Sequence, residues 1–483
     1  MLCYIVTKAQ TYHLSLEESI EIAKNQSFDI QTLLQEKIIA ENEMKAATAL
    51  LRTNVNMNFT LPQYTETIRE REDSTGIYFF PLKTLRGTGN LNVFQPLPTD
   101  GTIYVSSGLQ SISDYNSDRR LTQFNTRIGL SQPLNSFWGY NSIKSDLKRA
   151  RLNYERSNKA FKRAELDLIY DVSSSFYTLL KQQKGTEIAQ MNLERQTEAY
   201  EISKNKYQAG LIREVESLQM EVDLAEARNT YDIATFSFKS STNTFKRLLG
   251  LELKATVTLK SEMSNYSEVN VDPEKAVEMA IGNRLEIRDR EIQIELQQLQ
   301  INRQKSLGLP QASLEASWEK IGVSSVDISE SYSNSLSTTW NNLGMRPPQY
   351  QVGLTLRIPI IDWGRNRNLV RVAEARLRQN YLSKEDEERG IEVEVRNLLA
   401  NLHSTLSRLK LLERNVNLAE RSYSITLQRF TDGDIDSQAL ALERTRLNSA
   451  QKIHLDAFVD YQLLLSDLTR KTFYDFLNDC PIE

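Results

Sequence analysis

Cysteine is almost missing from this chain: Cys3 and Cys480, near opposite ends, are the two in 483 residues. That excludes a disulfide framework and a CxxC-type metal site. Histidine is as sparse, with His13, His403 and His454 scattered. Glycine (18) and proline (11) fall well below the roughly 7% and 5% of an average globular chain, so long helices with few turns are expected. No apolar run reaches the roughly 18 residues of a spanning helix, but a transmembrane β-barrel, whose strands alternate, stays open. Lys plus Arg total 59 against 63 Asp plus Glu, a net charge of -4, which lacks the basic excess of a nucleic-acid partner. There is no HExxH, GxSxG or Walker loop, and no plausible histidine–acid pair at helical spacing, so neither an enzyme nor a bound cofactor is expected. Gly87, Gly89 and Gly101 precede no helix and do not form a phosphate loop.

What the chain does have is periodicity. Ile391, Val395, Leu398, Leu402, Thr405, Leu409, Leu412, Val416, Ala419 and Tyr423 step by four and three without a break, a heptad seam. The same alternation links Met220, Leu224, Ala227, Tyr231, Ala234, Phe238, Ser241, Phe245 and Leu248. A third stripe runs from Ile143 to Leu168, then takes four-residue steps to Val172 and Phe176, which slackens a left-handed supercoil. His454 lies on the stripe Leu447, Ala450, Ala457 and Tyr461, as an interhelical histidine rather than a ligand. The stretch 141–207 has no proline and one glycine, and would reach roughly 100 Å as one helix. Residues 366–430 match it. Each ends at a glycine turn, Ala209-Gly210-Leu211 or Asp432-Gly433-Asp434-Ile435-Asp436, and a second amphipathic stretch follows, so each pair reads as an antiparallel hairpin with the turn as its tip.

Other segments have period two. Residues 54–61, 124–131, 312–319 and 350–360 alternate apolar and polar side chains, giving four strands of the length a tilted strand needs to cross a bilayer. Two further strand-like pieces, 90–95 and 102–109, lie in the Gly- and Pro-bearing segment 63–120 and are expected to form an extra hairpin outside the main strands.

The chain also repeats itself. EESIEIA at 17–23 aligns with EKAVEMA at 274–280, PLNSFWGYN at 133–141 with PIIDWGRN at 359–366, and the tip at 207–210 with that at 430–433. Five parts follow: a leader remnant or flexible N-terminus at 1–14; a first repeat of helix, two strands and long hairpin at 15–249; an equatorial connector at 250–271; a second repeat at 272–469; and a tail at 470–483. Four strands cannot close a barrel, for which about eight is the practical minimum, so closure must come from other copies of the chain.

These features together resemble the outer-membrane efflux proteins, the TolC-like family. The resemblance rests on LSLEESIEIA at 14–23, the junctions bearing Pro133, Trp138 and Gly139 and then Pro359, Trp363 and Gly364, and the repeated tips, and it covers Leu14 to about Phe473. It implies a mixed α and β membrane protein of long coiled-coil hairpins and four strands per chain. Three copies would close a twelve-stranded barrel in the outer membrane of a Gram-negative bacterium, with helices in the periplasm. The implied role is a passive duct for small molecules or drugs, joined through a periplasmic adaptor protein to an inner-membrane pump, with outer-membrane lipid around the barrel. Ala209, Gly210, Leu211, Gly433 and Ile435 then look like the docking tips. Typical members carry a ring of aspartates beyond the second tip, where this chain has Ala439 and Leu442; its acids are instead Asp432, Asp434 and Asp436 on the turn. They would either draw divalent cations to the tunnel mouth or start the following helix. Protein or polysaccharide export by the same build, and a soluble structural coiled coil, are the rival readings. The accompanying pump separates the first, and solubility without detergent the second.

Overall fold

The computed structural model describes residues 11–260, 266 and 268–482. Cys3 and the rest of residues 1–10 of the leader remnant or flexible N-terminus expected at 1–14 lie outside the described residues, and residues 11–14 form a strand. The elements run β1 (Thr11–Leu14), α1 (Leu16–Gln26), α2 (Phe28–Ala49), β2 (Asn54–Asp73), β3 (Gly76–Pro96), β4 (Thr102–Asp114), β5 (Arg119–Pro133), α3 (Ser142–Gln208), α4 (Glu214–Leu249) and β6 (Thr256–Leu259). The second half continues with α5 (Pro273–Asn283), α6 (Leu285–Leu307), β7 (Gln311–Asp327), α7 (Tyr332–Met345), β8 (Gln349–Arg357), α8 (Arg365–Asp432), α9 (Ser437–Thr472), β9 (Tyr474–Asp475) and β10 (Cys480–Pro481). The internal repeat is visible in the lengths: α3 and α8 have 67 and 68 residues, α4 and α9 have 36 each, and α1 and α5 have 11 each.

Two compact units form, and each draws on both halves of the chain. The first, residues 1–38, 156–291 and 382–483, is helical. Local rules set its boundaries: Ser15 and Glu18 make a reciprocal capping box that starts α1, and Asp272 caps α5, whose first residue is Pro273. The predicted seams are its core. Ile391, Val395, Leu398, Leu402, Leu409 and Tyr423 are all buried, as are Leu168, Val172 and Phe176 on the third stripe. Phe245 and Leu249 pack with these last three and with Ala23 and Ile30, while β1 pairs in parallel with β6 and closes the same cluster. His454 is half-buried on its stripe, and burial pushes its pKa below the ordinary histidine value. Tyr177 donates to Gln462 Oε1 at 3.2 Å, and burial raises its phenol to about 12.

The second unit, residues 39–155 and 292–381, holds one antiparallel sheet in the order β2-β3-β4-β5-β7-β8. The four strands expected from alternation are present: β2, β5 and β7 are longer than expected, whereas β8 ends at Arg357, short of the expected 360. The extra hairpin requires a correction. It does not lie outside the main strands: β3 and β4 are inserted in the sheet, pairing β2 on one side and β5 on the other. Glycine at 87, 89, 101 and 108 and proline at 96 and 98 obscure the alternation there, because glycine carries no side chain to declare a face. Helix α7 was also not foreseen; it packs on β5 and β7, where Thr122, Ser324, Ser335 and Thr339 form a buried hydroxyl cluster.

Candidate functional site

Register decides what each face of the sheet presents, because side chains alternate and paired residues point the same way. One face carries Val55, Met57 and Phe59 of β2, Leu91 and Val93 of β3, Ile103 and Val105 of β4, Ile128 and Leu130 of β5, Ala316 and Trp318 of β7, and Tyr350, Val352 and Leu354 of β8. The other carries Asn56 and Asn58, Asn90 and Asn92, Ser106, Arg127, Glu319 and Gln351. Across it Arg127 and Glu319 form an ion pair at 2.6 Å. An apolar face backed by a polar one suits a wall between lipid and water. Among the described residues the two end strands, β2 and β8, each have one unpaired edge, and Val352 is 76% exposed on β8.

The two junctions predicted from the sequence repeat are built differently. In the first, Pro133 ends β5, a 3₁₀ turn spans Leu134–Phe137, and Trp138 and Gly139 lead to α3. Asp100, from the β3–β4 turn, accepts from the backbone N–H groups of Ser142 and Ile143 at 2.9 and 3.0 Å, so it caps a helix that begins 42 residues later. In the second, Pro359 follows β8, and Trp363 and Gly364 both take positive φ, 55° and 79°. Asp362 accepts from the N–H groups of Asn366 and Gly364 at 2.9 Å each, which holds its carboxyl below the usual carboxylate range and starts α8. Both indoles are exposed.

The tips share one turn. At the first, Gly210 has φ +72°, its N–H donates to Tyr207, and that of Leu211 donates to Lys206. At the second, Gly433 has φ +90°, its N–H donates to Phe430, and that of Asp434 donates to Arg429. This is the paired closure in which a left-handed residue, almost always glycine, satisfies the last helical carbonyls. Structure brings the tips together: Lys206 lies 4.5 Å from the ring centre of Phe430 and also donates to its carbonyl. Met220, Tyr423, Phe430, Leu440 and Leu447 are buried in one cluster, with Ile435 partly buried against it. Arg444 meets Asp223 at 2.9 Å with both side chains largely buried. None of Lys206, Asp223 or Arg444 stood out in the sequence, where each reads as one more charge on a helix.

Of the tip acids, Asp436 caps α9, accepting from the Ala439 N–H at 2.9 Å, and Asp432 accepts from Gln428. One of the three thus caps a helix and a second pairs along its own helix. Asp436→Ala should cost about 1 kcal/mol and speed amide exchange in the first turn of α9, while leaving α4 unchanged.

The sequence model of the outer membrane efflux protein family matches residues 102–251 and 276–470. Nodulation protein T of Rhizobium leguminosarum bv. trifolii is 23% identical over 271 residues, 56% of this chain, so the chain spans about half the length of the curated relative it matches, 55%. Among solved structures, CusC is similar at TM-score 0.69 with 14% identity, over 97% of this chain and 95% of that one. The Campylobacter jejuni outer membrane channel CmeC is similar at TM-score 0.69 with 14% identity, over 95% and 85%. The Neisseria gonorrhoeae channel MtrE in its open state reaches 0.67 with 15% identity, over 95% and 89%. With the family model matching the first repeat from β4 to the end of α4 and the second from α5 to α9, more than half of the chain, the chain belongs to the outer membrane efflux protein family.

Proposed function

We propose that this chain is the outer-membrane channel of a tripartite efflux system, a passive homotrimeric duct for small molecules. The observation that carries the reading is the two-faced sheet, whose two end strands each have an edge unpaired among the described residues. An open edge in lipid leaves several N–H and C=O groups without partners, each costing several kcal/mol, so β8 of one copy must pair with β2 of the next until the ring closes. Family membership sets the copy number at three. The long hairpins then extend into the periplasm, and Ala209, Gly210, Leu211, Gly433 and Ile435 form the ends that meet the adaptor and, through it, the inner-membrane pump. Asp432, Asp434 and Asp436 of three copies surround the mouth. Trp138 and Trp363, exposed next to the strand ends, suit anchors at the membrane–water interface.

The test is the mass of the protein extracted with and without detergent. Extraction only with detergent, at about three times the 55.5 kDa of the chain, is the expected result. Release by buffer alone as a monomer or dimer would mean the apolar face does not meet lipid, and would return the protein to the soluble coiled-coil class.

A further inference from the structure

We infer that the hairpin β3–β4 spans the outer membrane together with the four strands expected from alternation, so that each copy contributes six strands and a three-copy barrel has eighteen. The inference rests on the channel reading above and extends it.

Pairing is the first ground. β4 is in register with β3 and with β5 over all 13 of its residues, Thr102–Asp114, without a bulge. That exceeds the roughly 9–11 residues a tilted strand needs to cross the hydrocarbon. A hairpin folded back outside the membrane would instead leave β2 paired directly with β5.

Parity is the second. Leu91 and Val93 of β3 stand opposite Ser107 and Val105 of β4, which stand opposite Thr126 and Ile128 of β5. Asn92 and Asn90 stand opposite Ser106 and Gly108, and these opposite Arg127 and Asn125. The face that carries Ile128, Trp318 and Val352 thus keeps its parity across β4, β3 and β2, and so does the opposite face; beyond Leu109 the first face turns polar, with Ser111 and Ser113 of β4 beside Thr122 and Arg120 of β5, where α7 covers it. A one-residue slip anywhere would exchange the two.

Packing across the strands is the third. On the polar face, a Cβ on Gly129 of β5 would lie 2.4 Å from the Tyr104 ring of β4, so the phenol covers that glycine. A Cβ on Gly108 would lie 2.5 and 2.7 Å from the amide oxygens of Asn90 and Asn125, one on each side. Finally, the β3–β4 turn is bound to the end of the sheet from which α3 departs: Asp100 caps α3, Asn141 donates to Pro98 O at 2.9 Å, and Gln132 to Thr99 O at 2.7 Å. The hairpin therefore covers the same height as β5. Barrel diameter grows roughly linearly with strand number, so eighteen strands would give a bore about 1.5 times that of twelve.

Beyond Thr84, where pairing with β4 stops, β2 and β3 continue as a ribbon of two strands from Glu66 to Lys83. It stands on the side away from α3, so it projects outward from the cell surface.

Single cysteines in a background with Cys3→Ser and Cys480→Ser test the span. In sealed vesicles, a charged, membrane-impermeant maleimide should label Asn92→Cys, Ser106→Cys and Gln351→Cys, and spare Leu91→Cys, Val105→Cys and Val352→Cys by at least tenfold. If Leu91→Cys and Val105→Cys label as fully as Asn92→Cys while Val352→Cys is spared, the hairpin lies in water and the inference is wrong. Labelling of Val352→Cys as well would overturn the channel reading itself. Electron microscopy of the wild-type detergent-extracted protein, viewed down the ring, avoids any folding defect of the variants. Eighteen strands are expected, and twelve would refute the inference.

Discussion

Leu354→Arg should abolish recovery of the assembled protein, whereas Thr355→Arg, one residue along the same strand, should leave it near wild type. Leu354 pairs with Leu314 on the apolar face, and Thr355 pairs with Ser313 on the polar one. An arginine on the lipid face of a barrel costs from about 1 kcal/mol near the interface to about 2–4 kcal/mol at the midplane, and three copies incur it at once. Facing the lumen, the same guanidinium stays in water and costs little. The measurement is the yield of the trimer that resists dissociation in mild detergent, compared between the two variants. Equal yields would show that the two faces meet the same solvent.

The second large effect lies in the helical unit. Arg284 follows α5, and its side chain is only 5% exposed. It donates to Glu394 Oε2 at 2.6 Å and to the Lys471 carbonyl at 2.8 Å, and Lys471 meets the other oxygen of Glu394 at 2.8 Å. Three helical segments, α5, α8 and α9, are joined through one carboxylate. Glu394→Ala would leave the buried guanidinium without its counter-ion. Breaking such a pair costs about 3–5 kcal/mol when both ions are buried; Glu394 is 40% exposed, so water screening lowers the expectation to about 2–3 kcal/mol. Thermal unfolding followed by circular dichroism reads it directly, and a loss below about 0.5 kcal/mol would contradict it.

The same carboxylate sets an acid limit. Burial would raise the pKa of Glu394, but Lys471 and Arg284 outweigh it and hold it below the ordinary glutamate value of 4.5. A lowered folded-state pKa means that the stabilisation is complete above about pH 4.5 and is lost as pH falls through the folded-state value. Wild type should therefore lose stability on acidification below about pH 4.5 more steeply than Glu394→Gln, which has no carboxylate to protonate. Parallel curves would assign the acid sensitivity to other groups.

Much of this was legible in the residues. The seam from Ile391 to Tyr423 is visible in its spacing, and its members at 391, 395, 398, 402, 409 and 423 are buried. Gly210 and Gly433 marked the tips because a helix that ends in a left-handed turn has few other residues to use. The alternation of 350–356 showed its two faces before any neighbour was known. Asp362-Trp363-Gly364 also carries a cap signal, since an aspartate before a glycine turn commonly accepts from the backbone two and four residues on.

By itself, then, the sequence determined what depends on neighbours close along the chain: which segments are helix or strand, where the long helices turn back, that the halves repeat, and which strand faces are apolar. These follow from period, propensity and turn geometry, all of them local. Tertiary structure alone decided that β3 and β4 lie inside the sheet, that α7 covers β5 and β7, that Asp100 caps a helix 42 residues away, and that Lys206 joins the two tips. Each of those is a pairing between residues far apart in the chain, and a polar or glycine-rich segment carries no mark of its partner until the backbone brings the two within hydrogen-bonding distance.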